Sequence, residues 1–203
     1  MLKLLSELDL KAFLYLNSKH SPMWDEIMWW ISAKYTWIPL YVILLIVIIY
    51  HELSYRAVIT ILLAIITVVL CDQISVLVKF LTERPRPSHN PAIADIVHIV
   101  NNYRGGKFGF FSSHAANTFG IAAFLANQFK SNKWGVFLFT WAAIVSYSRI
   151  YLGVHYPLDI ICGGLVGSLI GIQCYVFNAN TVFYIDRRIE AHRLAKKNKK
   201  NRE

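Results

Sequence analysis

The sequence predicts an all-α, polytopic membrane helix bundle of five to six transmembrane helices, from its apolar content, the length of its apolar runs and the notches of charge between them. Hydrophobic residues fill 56% of the 203 positions and aromatic residues 14%, with a mean hydropathy of +0.42. Several runs approach the roughly 20 residues that cross a bilayer as a helix. One compact unit accounts for this length, leaving no room for a second domain. The expected division is a membrane-embedded domain over residues 1–185 and a basic cytoplasmic tail over 186–203.

The elements follow in order. Met1 to Asn17 interleaves leucines with Lys3, Glu7, Asp9 and Lys11, which suits a helix lying on the membrane surface. Charge interrupts the apolar core that a signal peptide requires. Pro22 to Ser32 carries Trp24, Trp29 and Trp30, an aromatic cluster of the kind that anchors at the bilayer interface, and is expected to be interfacial or half-inserted, with a full sixth span as the alternative. Trp37 to Tyr50 forms a first span, and His51 to Arg56 a tight polar turn. Ala57 to Phe80 forms a second span, crossed by Asp72, Gln73 and Lys79 near its far end. Ser88 to Phe110 is the longest connection. Its apolar piece, Ile93 to Val100, is too short to span and is expected at the interface beside a lipid entrance. Three further spans run from Ser113 to Phe129, Trp134 to Tyr147 and Leu158 to Phe177, with a basic turn, Lys130 to Lys133, between the first two. Disorder is expected past Lys196.

The formal net charge is +9, and eight of the 21 basic residues lie between Arg187 and Arg202. This tail reads as a solvated end drawn to anionic lipid rather than as a nucleic-acid surface. Cys71, Cys162 and Cys174 sit in apolar runs without metal-ligand spacing, and their odd number argues against a disulfide framework. Counting crossings puts the end of the second span, the start of the third, the end of the fourth and the start of the fifth on one membrane face. The other face receives Arg56, Lys130, Lys133 and the tail, and positive-inside logic makes it cytoplasmic.

Three notches at the first face carry chemistry: Lys79-Phe80-Leu81-Thr82-Glu83-Arg84-Pro85-Arg86-Pro87, Phe111-Ser112-Ser113-His114, and Ser148-Arg149 through His155 to Asp159. Ionisable groups beside hydrocarbon are functional by default. Together the notches resemble the signature of the type 2 phosphatidic acid phosphatase superfamily, which also contains the vanadium haloperoxidases. The family pattern reads Lys, six residues, Arg-Pro; then Pro-Ser-Gly-His; then Ser-Arg, five residues, His, three residues, Asp. The first and third fit without a gap. In the second, Phe111 stands for proline and Ser113 for glycine, which keeps the N–H but gives up backbone freedom. The match spans about residues 79 to 159.

The residue types suit phosphate. Lys79, Arg86 and Arg149 supply fixed cations that complement charge spread over phosphoryl oxygens, arginine as a planar fork and lysine as a point charge. Spacing from Lys79 selects Arg86 over Arg84, which is read as snorkelling from a helix end. Ser112 or Ser113 can cap the following helix, whose first N–H groups then bind an anion. Asp159, four residues after His155, is close enough to bond one ring nitrogen and leave the other free as a nucleophile. Pro157 suits the first helical turn and would hold His155 just ahead of it. His20, His51, His89, His98 and His192 are read as polar packing residues.

The resemblance implies more. His155 would attack phosphorus to give a phosphohistidine, and His114 would protonate the departing oxygen. Lys79, Arg86, Arg149, the Ser112 hydroxyl and the amides around Ser113 would hold phosphate oxygens. No acidic cluster resembles a magnesium cage, so metal-independent hydrolysis without a cofactor is expected. The expected activity is that of a lipid phosphatase of the bacterial inner membrane, with its site on the periplasmic face. Undecaprenyl diphosphate leads as substrate, on resemblance to small bacterial members through Leu16 to Pro22 and the Trp-rich helix. Lipid A is the runner-up, followed by phosphatidic acid and phosphatidylglycerophosphate. A non-catalytic lipid-phosphate binder or a permease-like protein is the alternative of another class. The partners expected are the lipid phosphate and the surrounding lipids, with neither nucleic acid nor an obligate protein partner. A haloperoxidase fits poorly, since those relatives are generally soluble.

Overall fold

A computed structural model describes residues 2–52 and 54–200. Among them run seven α-helices: α1 (Leu2–Asn17), α2 (Pro22–Ser32), α3 (Ile38–His51), α4 (Ser54–Thr82), α5 (Ser113–Phe129), α6 (Asn132–Tyr151) and α7 (Pro157–Lys200). Short 3-10 turns occupy Lys34–Trp37 and Pro87–His89, and an isolated antiparallel bridge joins Pro85 to Phe108. No β-strand forms among the described residues, so the all-α expectation holds.

The bundle is built around α5, which α4, α6 and α7 enclose. Its contact with α7 depends on missing side chains. A Cβ on Gly167 would fall 2.1 Å from the Ala116 carbonyl oxygen, and one on Gly171 would fall 2.2 Å from that of Gly120. Close backbone approach matters here because hydrocarbon around the protein supplies no hydrophobic drive for helix pairing, leaving van der Waals packing to do it. The outer surfaces of α3 and α4 carry exposed Ile43, Ile46, Ile49, Leu62, Ile65 and Val69, as lipid-facing helices do.

Among the described residues, three helical stretches are long and apolar enough to cross a membrane: Lys34–His51, Tyr55–Thr82 and Pro157–Asn198. The chain is an integral membrane protein. At 17 residues and rich in small side chains, α5 has traded apolar length for close packing against its neighbours. The 11 residues of α2 extend only about 16 Å, short of the hydrocarbon core. Ser21 caps α2, accepting from the Trp24 N–H, and Pro22 opens its first turn. Met28 faces inward against Tyr151 and Leu152 while Trp24 and Trp30 face out. Helix α1 exposes Leu4, Leu5 and Leu8 and buries Phe13 against Tyr156.

Two expectations need correction. The piece from Ile93 to Val100 is a run of turns whose Ile93, Val97 and Val100 are buried, the first two in one cluster with Phe13, Ile150 and Tyr156. It braces the connection before α7, while Ile96 of the same run is exposed. Its partner there is Gly153, at φ +73°, where a Cβ would fall 2.6 Å from the His98 carbonyl oxygen. The second correction concerns the tail, which continues α7 through Lys200 where disorder was expected. Residues 201–203, with Arg202, lie outside the described residues, as do Met1 and the Leu53 of the predicted turn.

Candidate active site

The C-terminal ends of α4 and α6 and the N-terminal ends of α5 and α7 meet at one end of the bundle, as the crossing count requires. Pro157 begins α7, and Asp159 in its first turn turns back on the two residues just before the helix. Asp159 Oδ2 accepts from the Tyr156 N–H at 3.0 Å and lies 3.2 Å from His155 Nδ1. On the ring's other side, Arg86 Nη1 lies 3.3 Å from Nε2. A guanidinium can only donate, so Nε2 is the acceptor and the ring proton sits on Nδ1, facing the carboxylate. The Nε2 lone pair is thus the ring's acceptor and is engaged by Arg86.

His155 is 1% exposed and Asp159 fully buried. Burial, with Arg86, Arg149 and Lys79 nearby, holds the His155 imidazole well below its ordinary range, so it stays neutral. A neutral ring is the form a nucleophile needs.

Lys79 donates to Ser113 Oγ at 2.6 Å and to Ser75 Oγ at 2.5 Å. Arg86 is fixed by the Phe108 carbonyl at 3.0 Å. Arg149, 3% exposed, donates to Ser32 Oγ and to the Tyr103 hydroxyl at 3.2 Å, while its Nε has no partner. None of these three cations pairs with a carboxylate among the described residues. A buried cation without an anion, as Arg149 is, is costly, and a phosphate would satisfy it together with half-buried Lys79 and Arg86. Among the described residues no group of three or more His, Cys, Asp or Glu side chains is arranged to hold a metal ion.

Ser112 is the N-cap of α5, its Oγ accepting from the Ala115 N–H at 3.4 Å, and its own N–H donates to the Asp159 carbonyl at 3.0 Å. The serine that stands for the family glycine has a task. Ser113 Oγ sits 2.8 Å from Ser75 Oγ and receives Lys79, so the replacement adds a partner for the lysine. Phe111 is buried beside Cys71 and Ala116, and its carbonyl accepts from Ser75. His114, at the start of α5, lies within electrostatic reach of Arg149, His155, Arg86 and Lys79. It opens with Arg149 onto a cavity of 370 Å³ beneath α2. The candidate site residues Lys79, Arg86, Ser112, Ser113, His114, Arg149, His155 and Asp159 thus all lie at this end of the bundle.

Arg84 is a correction. Instead of snorkelling, it joins Asp159 Oδ1 at 2.8 Å to Asp9 Oδ2 at 2.5 Å. Asp9 Oδ1 in turn accepts from the Leu158 N–H at 2.8 Å, at the mouth of α7. The guanidinium lies over the Tyr156 ring, 4.3 Å from its centre. Asp9, Ser32, Ser75 and Tyr103 were also missed. Asp9 carried one signal, a carboxylate on the face of α1 that includes Phe13, but a partner 75 residues away leaves no mark in local pattern.

The chain is similar to known phosphatases of membrane lipids. A lipid A 4'-phosphatase of Bacteroides thetaiotaomicron is 39% identical over 179 residues, covering 86% of this chain and 79% of that protein. An undecaprenyl-diphosphatase of Sulfolobus acidocaldarius is 31% identical over 144 residues, covering 68% of this chain and 62% of that protein. The crystal structure of Aquifex aeolicus LpxE superposes with a TM-score of 0.61 at 26% identity, over 82% of this chain and 94% of that one. The sequence profile of the PAP2 superfamily matches residues 56–183, a stretch that holds every motif residue converging on His155. Matched along more than half its length and through all three motifs, the chain belongs to the PAP2 superfamily, as a phosphatase of membrane lipids.

Proposed function

We propose that this phosphatase removes a phosphate from the glucosamine backbone of lipid A, in the bacterial inner membrane. The observation that carries the choice is the likeness to the Bacteroides enzyme, 39% identical over 86% of the chain. Undecaprenyl diphosphate, expected first from the sequence, yields to lipid A because the likeness on its side is 31% over 68% of the chain.

In the reaction, the lipid phosphate enters between His155 and His114. Arg86 swings from Nε2 to a phosphoryl oxygen, and Arg149, Lys79, Ser112 and the first amides of α5 take the others. The Nε2 lone pair attacks phosphorus. The bond from phosphorus to the sugar oxygen breaks, and His114, carried as imidazolium once the phosphate's negative charge lies beside it, donates a proton to that oxygen. Asp159 stabilises the positive charge that develops on the ring. His114 then takes a proton from water, whose oxygen attacks phosphorus, and the phosphorus–nitrogen bond breaks with its electron pair returning to Nε2. These steps use no metal or cofactor.

An apolar groove of 430 Å³ between α3, α4 and α5 reaches Asn117, one turn along α5 from His114, and supports hydrocarbon lying alongside the site. We place five crossings in the membrane: α3 to α7, with the embedded domain over 1–185 and the basic tail cytoplasmic. The charge of the Arg56 turn, of Lys130 and Lys133 and of the tail supports a periplasmic site.

Phosphate release from pure lipids tests this. Lipid A is expected to give the highest kcat/KM in a panel with undecaprenyl diphosphate and phosphatidylglycerophosphate. Faster turnover of undecaprenyl diphosphate overturns the choice. A cysteine introduced in the 88–110 connection should react with an impermeant reagent from the periplasmic side.

A further inference from the structure

The 370 Å³ cavity beside His114 and Arg149 is built unlike the phosphate cradle. Its wall is aromatic, with Trp29 of α2, Tyr103 of the long connection and Tyr35 of the 3-10 turn. Trp29 and Tyr103 meet edge to face with ring centres 5.7 Å apart, which fixes both planes. Tyr35 is 70% exposed at the rim, with Lys34 Nζ 5.1 Å from its ring centre. Lys34 has no carboxylate partner among the described residues. On the inner side, the Tyr103 hydroxyl and Ser32 Oγ hold Arg149, whose Nε remains without a partner though buried.

Acyl chains take apolar, lipid-facing grooves, and glycerol phosphate has no flat apolar face to stack. A pyranose ring has such a face in its axial C–H bonds, and aromatic planes beside a few polar groups suit it. The volume lies in the ~300–1,000 Å³ range of small-molecule sites. We propose that this cavity is a saccharide subsite: it seats the sugar that carries the scissile phosphate, with Trp29 and Tyr103 against the ring and Lys34 at the rim drawing in an anionic headgroup. The proposal rests on the lipid A reading and names how that headgroup is recognised.

The test compares kcat/KM on lipid A and on phosphatidic acid for wild type, Trp29→Ala, Trp29→Phe, Tyr35→Ala and Lys34→Gln, with thermal unfolding as a check on fold. Trp29→Ala is expected to lower the ratio of lipid A to phosphatidic acid activity at least tenfold, through KM. Trp29→Phe should restore most of it. Tyr35 and Lys34 are exposed, so their variants keep the test valid should Trp29→Ala unfold. Each should lower the ratio about threefold. Equal losses on both lipids overturn the subsite while the phosphatase stands. Wild type that cleaves phosphatidic acid but not lipid A ends the lipid A reading, and the subsite with it.

Discussion

The two ends of the bundle both gather polar side chains, and they balance charge in opposite ways. At the end away from the site, Arg56 pairs with Asp186 at 2.7 Å, and Gln128 donates to Glu52 at 2.5 Å and accepts from Asn178 at 2.9 Å. There the cation of the turn is answered by an acid of the chain. At the site, among the described residues, Arg84 is the one arginine or lysine that acids answer, through Asp9 and Asp159. Lys79, Arg86 and Arg149 are left with neutral oxygens, and Arg149 is almost wholly buried. A structure held for stability alone would pair or discard such charges. On the reading proposed above, a phosphate ligand brings the missing negative charge.

The largest effect that tests this contrast is loss of the nucleophile. His155→Ala should cut turnover by roughly 10⁴-fold or more, and trapped phosphoenzyme should disappear. Any substantial residual rate would place the nucleophile elsewhere. Next come the unpaired cations. Arg86→Ala and Arg149→Ala should each lower kcat/KM by about 10²–10³-fold, whereas Arg56→Ala at the balanced end should leave activity within about twofold. Equal effects at the two ends would erase the distinction. Stability should move the other way: Arg149→Met is expected to hold or raise Tm, because it removes a buried charge that lacks an acid.

A smaller effect concerns Asp9, which touches no substrate and acts through Arg84 and the mouth of α7. Asp9→Asn should lower kcat about tenfold with KM little changed, the magnitude expected when a group supporting a first-contact residue is lost. Orthovanadate or inorganic phosphate should raise Tm in wild type, by about 2.7 kcal/mol of stabilisation at 100 times Kd, and should do so far less in Arg86→Ala. The smallest shift is in pH. The folded state depresses the His155 pKa, so the acid limb of kcat/KM should lie below the ordinary ~6.5. The neutral ring's contribution to stability is present above that value and declines as pH falls through it. An acid limb at or above ~6.5 would contradict a buried ring among cations.

Much of the site was legible because its pieces are local. His155 and Asp159 sit one helical turn apart, Pro157 marks the helix start, and Ser112 precedes an apolar run, so each relation is readable from spacing. Lys79 and Arg86 could be chosen over Arg84 by register, but Arg84's own role could not, since snorkelling and pairing leave the same sequence. The turns from Ile93 to Val100 misled for a related reason. A short apolar run suits an interface and an internal brace equally, and the choice falls to Phe13 and Tyr156, whose arrival no pattern announces.

From the sequence alone came the helical class, the face on which three motifs meet and the chemistry of a histidine steered by a carboxylate. Periodicity, run length and turn residues act over a few positions and are written in order along the chain. Only the folded bundle decided that Asp9 reaches Arg84, that Ser113 joins Lys79, and that Trp29 and Tyr103 wall a cavity beside Arg149. Those contacts join residues dozens of positions apart, on separate elements whose packing against one another hydropathy does not encode.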